Sequence, residues 1–346
     1  MRMQELPTLS IAPMQDVSVL PLWRCLERRG GPDLYVTEYF RVHRDSTPEK
    51  KILRTIHGMS GRKPVVAQMI GNNPEYLVRT AQLIEAQSDC IGIDVNLGCP
   101  APKVCGKKAG GALLKNPELI RRIACDLREV VKGKLTLKTR VGFESPSEFD
   151  DLLELFASLP VEGLAIHGRT VRERYQSPVH TDCIARAVSM LPYPVTANGN
   201  IVSTATAVAM QQQTGATGLM IGRGGIRNPW LFSLVRDAFS GQTTPRPTLR
   251  DLECYLIELA EEIAAEAAVE SNTKLVHRMK KFANYISSGI HDGIFQNQLR
   301  RANSMEEFRS ICQEHLSSDE PMPEDPTEDG KLFCGFGELI NESATI

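Results

Sequence analysis

The stretch KLTLKTRVG, residues 134–142, has the alternation of a β-strand, yet its second half carries Lys138 and Arg140. Alone, such a lysine reads as an exposed edge residue. The stretch is not alone. Short apolar or β-branched runs also occur at TLSIAP (8–13), LYVTEYF (34–40), PVVAQMIG (64–71), CIGIDVNLG (90–98), GLAIHGR (163–169), PVTANG (194–199) and TGLMIGRG (217–224), each followed by helical periodicity. Eight strand and helix alternations in about 240 residues match the count and size of a (β/α)8 or TIM barrel. A doubly wound open sheet fits less well, because no strand is followed by G-x-G-x-x-G and because the polar residues sit at one common end of the strands.

That common end carries Ala12, Pro13 and Met14 after the first run, Glu38 near the end of the second and Gln68 on the third. Asn96 and Cys99 follow on the fourth, Lys138 and Arg140 on the fifth, His167 on the sixth, Asn198 on the seventh and Arg223 on the eighth. In a barrel these converge on the carboxyl face, where active sites are built, and polar residues in apolar strands are otherwise costly to bury.

After NPWLFSLVRDAFSG (228–241) the strand pattern stops, and TTPRPT (243–248) reads as a linker. Helical segments follow at about 249–269 and 272–288, with shorter ones to about 317. The expected organisation is a catalytic barrel over 1–242, a helical domain over 249–317 and an acidic, flexible tail over 318–346. Leu275, Met279, Phe282 and Ile286 supply a buried helical face, and Lys274, Arg278 and Lys281 form a neighbouring cationic stripe. The plain reading of that stripe is a solvated surface; the functional one is a nucleic-acid contact.

The 346 residues, 42% of them hydrophobic, suffice for a substantial core. The net charge of −2 conceals an acidic C-terminus, since Asp319 to Ile346 carries −7 and the preceding residues +5. The mildly basic body permits a nucleic-acid partner without requiring one. Nine scattered cysteines, with no C-x-x-C pair, argue against a disulfide framework and against a zinc site, so no metal is expected. No apolar run approaches the roughly 20 residues that span a bilayer, and the first residues, MRMQELPTLSIAP, lack a leader pattern, so a cytoplasmic location without a membrane partner is the expectation.

Three groups could do chemistry. GRGG (222–225) after the eighth run and Gly199-Asn200 after the seventh occupy the positions of a phosphate cradle in such barrels, and Arg223 adds a guanidinium; simple turn glycines are the alternative. Lys138 and His167 lie on adjacent strands, and an inward cation requires an anionic or electron-rich partner, of which a reduced flavin ring is one. A hydrogen-bonded core histidine is the rival for His167. Cys99 has Gly98 before it and Pro100 after it, so the strand must end there and present the thiol at its mouth, as nucleophile or as proton donor. Cys105, in the same loop, is its competitor; an inert buried thiol is the plain reading of both.

Taken in order and spacing, IAPM (11–14), VTEYFRV (36–42), VAQMIGNNPEYL (66–77), DVNLGCPAPKV followed by AGGALLKNPEL (94–119), LKTRVGF (137–143), AIHGRTVRERY (165–175), ANGNI (197–201) and MIGRGGIRNPWLF (220–232) resemble the tRNA-dihydrouridine synthases. The resemblance covers about residues 8–317. Its most specific element is N-x-G-C-P-x-x-K-V with the later H-G-R-T. The TEYFRV segment and HRMKKFANYI (277–286) look most like the bacterial DusC group. The resemblance implies an FMN enzyme that reduces the C5=C6 bond of a D-loop uridine in tRNA, with NADPH or NADH as electron source.

By matching motif, the resemblance places Pro13 and Met14 against the flavin through their backbone, and Gln68, Lys138 and His167 against its ring and ribityl region. Asn198, Gly199, Asn200, Gly222 and Arg223 would surround the phosphate. Asn96 would orient the uracil beside Arg140, and Cys99 would give the proton to C5 after hydride reaches C6. Lys274, Arg278 and Lys281 would contact tRNA. Position 16 is the modified uridine in enzymes of the DusC type, and a monomer is expected. The rivals are a flavin-dependent reductase of a free pyrimidine or small enone, and an RNA-binding module without catalysis. A second helical domain speaks for a large substrate.

Overall fold

A computed structural model of the chain describes residues 6–266, 272–328 and 332–343. Eight parallel strands form the barrel: β1 (Thr8–Ile11), β2 (Leu34–Val36), β4 (Val65–Ile70), β5 (Gly92–Asn96), β6 (Lys134–Arg140), β7 (Leu164–His167), β8 (Val195–Asn198) and β9 (Gly218–Ile221). Each pairs with the next, β2 with β4, and β9 returns to β1, so no edge is left open. A short strand β3 (Phe40–Arg41) pairs only with the end of β4, Phe40 opposite Met69.

The run read as one strand over 34–40 therefore breaks after Val36. The cause lies at Glu38, whose buried carboxylate accepts from the backbone N–H of Asp16 at 2.6 Å and from Gln15 Nε2 at 2.8 Å, and pairs with Lys51 at 3.3 Å. Turning that side chain toward the loop after β1 takes the backbone out of the ladder.

β6 shows how the opening stretch folds. Leu135 and Leu137 are buried in the main core, against the surrounding helices, whereas Thr136, Lys138 and Arg140 alternate to the barrel interior. Register then sets the upper tier of the interior, with Asn96 opposite Lys138, Arg140 opposite His167, and His167 opposite Asn198. Lys138 itself lies opposite Ala165, a side chain small enough for the amine to pass over it toward β8.

Helices Leu249–Glu266, Asn272–Ile286, Ile294–Arg301 and Met305–Leu316 form the C-terminal helical unit. Its first helix buries Leu252, Tyr255, Leu256, Leu259 and Ile263 and is tied to helix Leu20–Glu27 and the residues after it by pairs of Arg24, Arg28 and Arg29 with Glu258 and Glu262. No helix among the described residues is long and apolar enough to cross a membrane.

The tail, expected to be flexible from its composition, meets the body at several points among the described residues. Thr248 bridges Pro321, Met322 is buried, and the guanidinium of buried Arg227 donates to the carbonyls of Pro323, Glu324 and Asp325 at 2.8–2.9 Å. Phe333, Phe336 and Leu339 are buried as well, the last two in helix Phe336–Ser343. These widely spaced apolar residues, and a cation in the body that bonds carbonyls and not carboxylates, are what the acidic composition conceals. Residues 267–271, 329–331 and 344–346, within the expected helix, tail and C-terminus, lie outside the described residues, as do 1–5.

Candidate active site

The carboxyl ends of the strands surround a cleft of about 480 Å³. Cys99 stands on its rim because three groups hold the backbone on either side of it. Asn96 Oδ1 accepts from the N–H groups of Gly98 and Cys99 at 3.1 and 2.9 Å, an Asx-type turn that ends β5. Arg140 Nε donates to the Gly98 carbonyl at 2.9 Å. Behind the loop comes Gly110, at φ +58°, where a Cβ would stand 3.1 Å from Cys99 Cβ and 2.8 Å from Val104. The second thiol, Cys105, donates to the Cys99 carbonyl at 3.4 Å. It supports the loop from within.

Burial pushes the Cys99 thiol above its ordinary pKa, against the lowering pull of the Ala101 N–H and of Arg140 and Lys138. A thiol that keeps its proton at neutral pH is a proton donor; a nucleophile needs the thiolate. This environment favours the protonated thiol.

Lys138 Nζ donates to Asn198 Oδ1 at 3.0 Å, and Asn198 Nδ2 donates to the Met220 carbonyl at 2.7 Å. Burial, with Arg140 beside it, pulls Lys138 down to about 8. His167 is held neutral, well below its ordinary value, by burial and by Arg140, Lys138, Arg169 and Arg223. Its Nδ1 is buried without a partner, and its ring meets Tyr175 edge-on at 5.8 Å.

Arg140 bonds to main chain at three points and has the Tyr175 ring beside its guanidinium at 5.1 Å. Besides Gly98, its Nη1 reaches the carbonyls of Thr170 and Arg174 at 2.8 and 2.7 Å, so it clamps the loop after β5 to the loop after β7. Gln68 lies beneath the cleft lining: its Nε2 donates to Asp94 Oδ2 and its Oε1 accepts from Asn96 Nδ2, both at 2.8 Å. Asn96 is thus oriented from below and retains one amide N–H. Asp94, pushed up to about 6 by burial against the bonds from Gln68 and Thr136, anchors this chain.

At the other group of loops Gly199 (φ +131°) and Asn200 (φ +52°) turn the chain after β8, and Gly222 and Arg223 follow β9. The Arg223 guanidinium lies over the Tyr175 ring at 4.7 Å. Pro13 and Met14 complete the lining from β1. The cleft also gathers residues the strand pattern does not signal: Tyr39, Tyr175, Tyr285 and Phe333. Arg169, fully buried, donates to Asn200 Oδ1 at 3.0 Å.

The three cations of the helical stripe do not enter the cleft. Arg278 pairs with Glu266 at 3.5 Å and Lys281 faces Asp16 at 3.9 Å; with Lys51 and Arg54 they line a separate groove of about 400 Å³ between the helical unit and the barrel. Lys274 is exposed and lies outside that groove. No group of three or more His, Cys, Asp or Glu suited to a metal occurs among the described residues.

A closed parallel barrel with its polar groups gathered at the carboxyl end of the strands defines a (β/α)8 enzyme. Its fold resembles the structure of histamine dehydrogenase from Rhizobium sp. 4-9, with a TM-score of 0.52 at 11% identity, covering 72% of this chain and 49% of that one, so the likeness concerns the fold alone. The family model described as dihydrouridine synthase (Dus) matches residues 10–320, and the chain belongs to that family. Among its relatives, a tRNA-dihydrouridine(16) synthase of Cupriavidus necator is 35% identical over 272 residues, 74% of this chain and 83% of the relative. A tRNA-dihydrouridine synthase B of Pseudomonas putida is 33% identical over 310 residues, 88% of this chain and 89% of the relative. The chain is accordingly an oxidoreductase of the dihydrouridine synthase type.

Proposed function

We propose that this chain is an FMN-dependent tRNA-dihydrouridine synthase that reduces the C5=C6 bond of a D-loop uridine, with NADPH or NADH as electron source. The observation that carries the proposal is Cys99: a thiol kept protonated and pinned on the rim of a cleft that also holds Lys138, His167, Asn198 and Arg223.

The residues present fit a flavin mononucleotide. Four cations act together on His167, so the interior is electropositive and an anionic ligand relieves the repulsion. His167 Nδ1 and Arg169 Nη1 are buried polar atoms without partners. A Cβ at Gly222 would meet nothing closer than 3.6 Å, so that backbone is open to close approach. Pro13 and Met14 would touch the ring through main chain, Lys138 and His167 would hold its ring and ribityl region, and Asn198, Gly199, Asn200, Gly222 and Arg223 would surround the phosphate. Gln68 would act from beneath, through Asn96.

The flavin, when bound and reduced, supplies the hydride for C6 of the uracil. The chain's own residues do the rest. Charge developing at C5 and O4 is quenched by the proton on Cys99 Sγ. The remaining N–H of Asn96 orients the base. Arg140 keeps the thiol in place through Gly98. To reach the cleft the uridine must leave its stack, at a cost of a few kcal/mol that a loop reduces. The groove of Lys51, Arg54, Arg278 and Lys281 would take tRNA phosphates beside the cleft, since Asp16 adjoins Gln15 on the cleft wall.

The same proposal includes action as a monomer, in the cytoplasm, at position 16 of tRNA. Mapping dihydrouridine in tRNA from cells lacking this protein tests it: loss at position 16 alone is expected, and an unchanged dihydrouridine map would refute it. In vitro, oxidation of the reduced protein by tRNA and not by free uridine is expected; equal oxidation by both would favour the small-pyrimidine reductase.

A further inference from the structure

The dihydrouridine synthase match ends at residue 320, yet the chain continues and returns to the cleft. Leu332, Phe333 and Phe336 form part of its wall. Three main-chain carbonyls of this segment receive hydrogen bonds from three side chains at the ends of β7, β8 and β9. Arg223 Nη1 donates to Leu332, Arg169 Nη2 to Cys334 at 3.1 Å, and Asn200 Nδ2 to Gly335 at 2.6 Å. Arg169 Nη2 also donates to Asn200 Oδ1, so the three are linked.

The side chains reinforce this. Phe333 is buried against Val202 and Phe336, and its ring lies 5.8 Å from the Arg223 guanidinium, which has Tyr175 at 4.7 Å. Two aromatic rings thereby restrict a long side chain that is otherwise rich in rotamers. Cys334 Sγ donates to the Tyr175 carbonyl at 3.0 Å, fixing the loop that carries that ring. The segment is held from outside the cleft, where helix Phe336–Ser343 packs on helix Thr204–Thr214, with Leu339 buried and its carbonyl accepting from Gln213 Nε2 at 2.8 Å.

Two readings of such a segment differ in sign. A plug would fill the site and compete with a ligand. Here the cleft retains about 480 Å³ with the segment in place, within the range of small-ligand sites. The acceptors in these three bonds, moreover, are main-chain carbonyls, which orient the groups that donate to them.

We infer that the segment Leu332–Phe336 is a positioning strap: it fixes Arg223 and Asn200 for a phosphate monoester and closes that end of the cleft, so that the chain retains phosphorylated over unphosphorylated flavin. The inference rests on the flavin reading given above. It assigns the C-terminal extension a part in ligand retention through residues that lie beyond the family match.

The test uses the full-length chain, with flavin removed, titrated with FMN and separately with riboflavin by quenching of flavin fluorescence, and with FMN release followed by stopped flow. The variants are Phe333→Ala, at the guanidinium, and Leu339→Asp, which loosens the anchor away from the cleft; Leu339→Met, which keeps an apolar anchor, is the conservative control, and far-UV circular dichroism verifies folding. Both loosening variants should raise the FMN dissociation constant about tenfold, the equivalent of one charge-assisted hydrogen bond at about 1.4 kcal/mol, and hasten its release. Riboflavin affinity should move less than about twofold by the same reckoning, and Leu339→Met should stay near the parent chain. Equal weakening of both flavins would mean general loss of packing and overturn the strap, as would unchanged or tighter FMN binding. A parent chain that binds both flavins equally overturns the strap but not the flavin reading; one that binds neither overturns both.

Discussion

Arg140 Nε donates to the carbonyl of Gly98 at 2.9 Å, so the strand that carries Lys138 also holds the backbone next to Cys99. In the proposed function, the flavin-facing and base-facing groups would thereby be joined through one buried guanidinium. Its other bonds, to Thr170 and Arg174, tie both to the loop of Tyr175. Arg140→Lys retains the charge but cannot make this set of contacts. It should lower dihydrouridine formation about 10²-fold, the scale of an ångström of misplacement, while FMN stays bound. Single-turnover kinetics with tRNA, beside flavin absorbance, measure both.

Cys99→Ala should preserve flavin and NADPH oxidation and lower dihydrouridine formation by about 10²–10⁴-fold, the worth of a positioned acid. The pH profile adds a sharper check. Because burial raises the thiol, the proton donor remains loaded through neutral pH, and the Cys99-dependent rate should fall only in alkaline solution, above the ordinary cysteine range. A rate that falls on acidification would instead describe a required thiolate.

Lys138 sits at about 8, below its ordinary value, because burial and Arg140 disfavour its charge. Below pH 8 both folded and unfolded chains carry this proton, and the burial cost is fully felt. Between about 8 and 10.5 only the unfolded chain binds it, so stability of the flavin-free protein gains from this residue as pH rises. In the proposed function FMN binding should have the opposite slope, since Lys138 would lose above pH 8 the charge that would face the ligand. Lys138→Met should abolish both slopes, as followed by thermal melts and FMN titrations between pH 6.5 and 9.5.

Lys138, His167 and Asn198 are legible because polar residues at period two within apolar strands stand out, and barrel geometry forces them together. Cys99 is legible from Gly98 and Pro100, but its role is not, because protonation depends on burial and on cations that come from other strands. Gln68 and Arg140 show the limit. Each has the right type and position, yet the bonds of Gln68 go to Asp94 and Asn96, and those of Arg140 to carbonyls, which no spacing reveals. Tyr175 and Arg169 belong to the turn after β7, where no period applies. The tail's contacts are the least legible part: mean acidity is a property of the segment, whereas its buried points are Met322, Phe333, Phe336 and Leu339 individually.

The cationic stripe of the helical unit should divide in function. Arg278 and Lys281 share a groove with Lys51 and Arg54, whereas Lys274 stands apart from it. Four convergent cations, partly offset by Asp16 and Glu266, make a local field that a single exposed lysine does not. Charge reversal at Arg278 and Lys281 should therefore weaken tRNA binding strongly and reduce the salt slope of its affinity by about one to two, roughly one per lost phosphate contact. Lys274→Glu should change both far less, and Lys51→Glu should behave like Lys281→Glu although the two lie on different elements. Filter binding of tRNA over a salt series separates these outcomes: equal effects at Lys274 and Lys281 would indicate a diffuse surface, and an unchanged slope after reversal at Arg278 and Lys281 would remove the groove from the tRNA path.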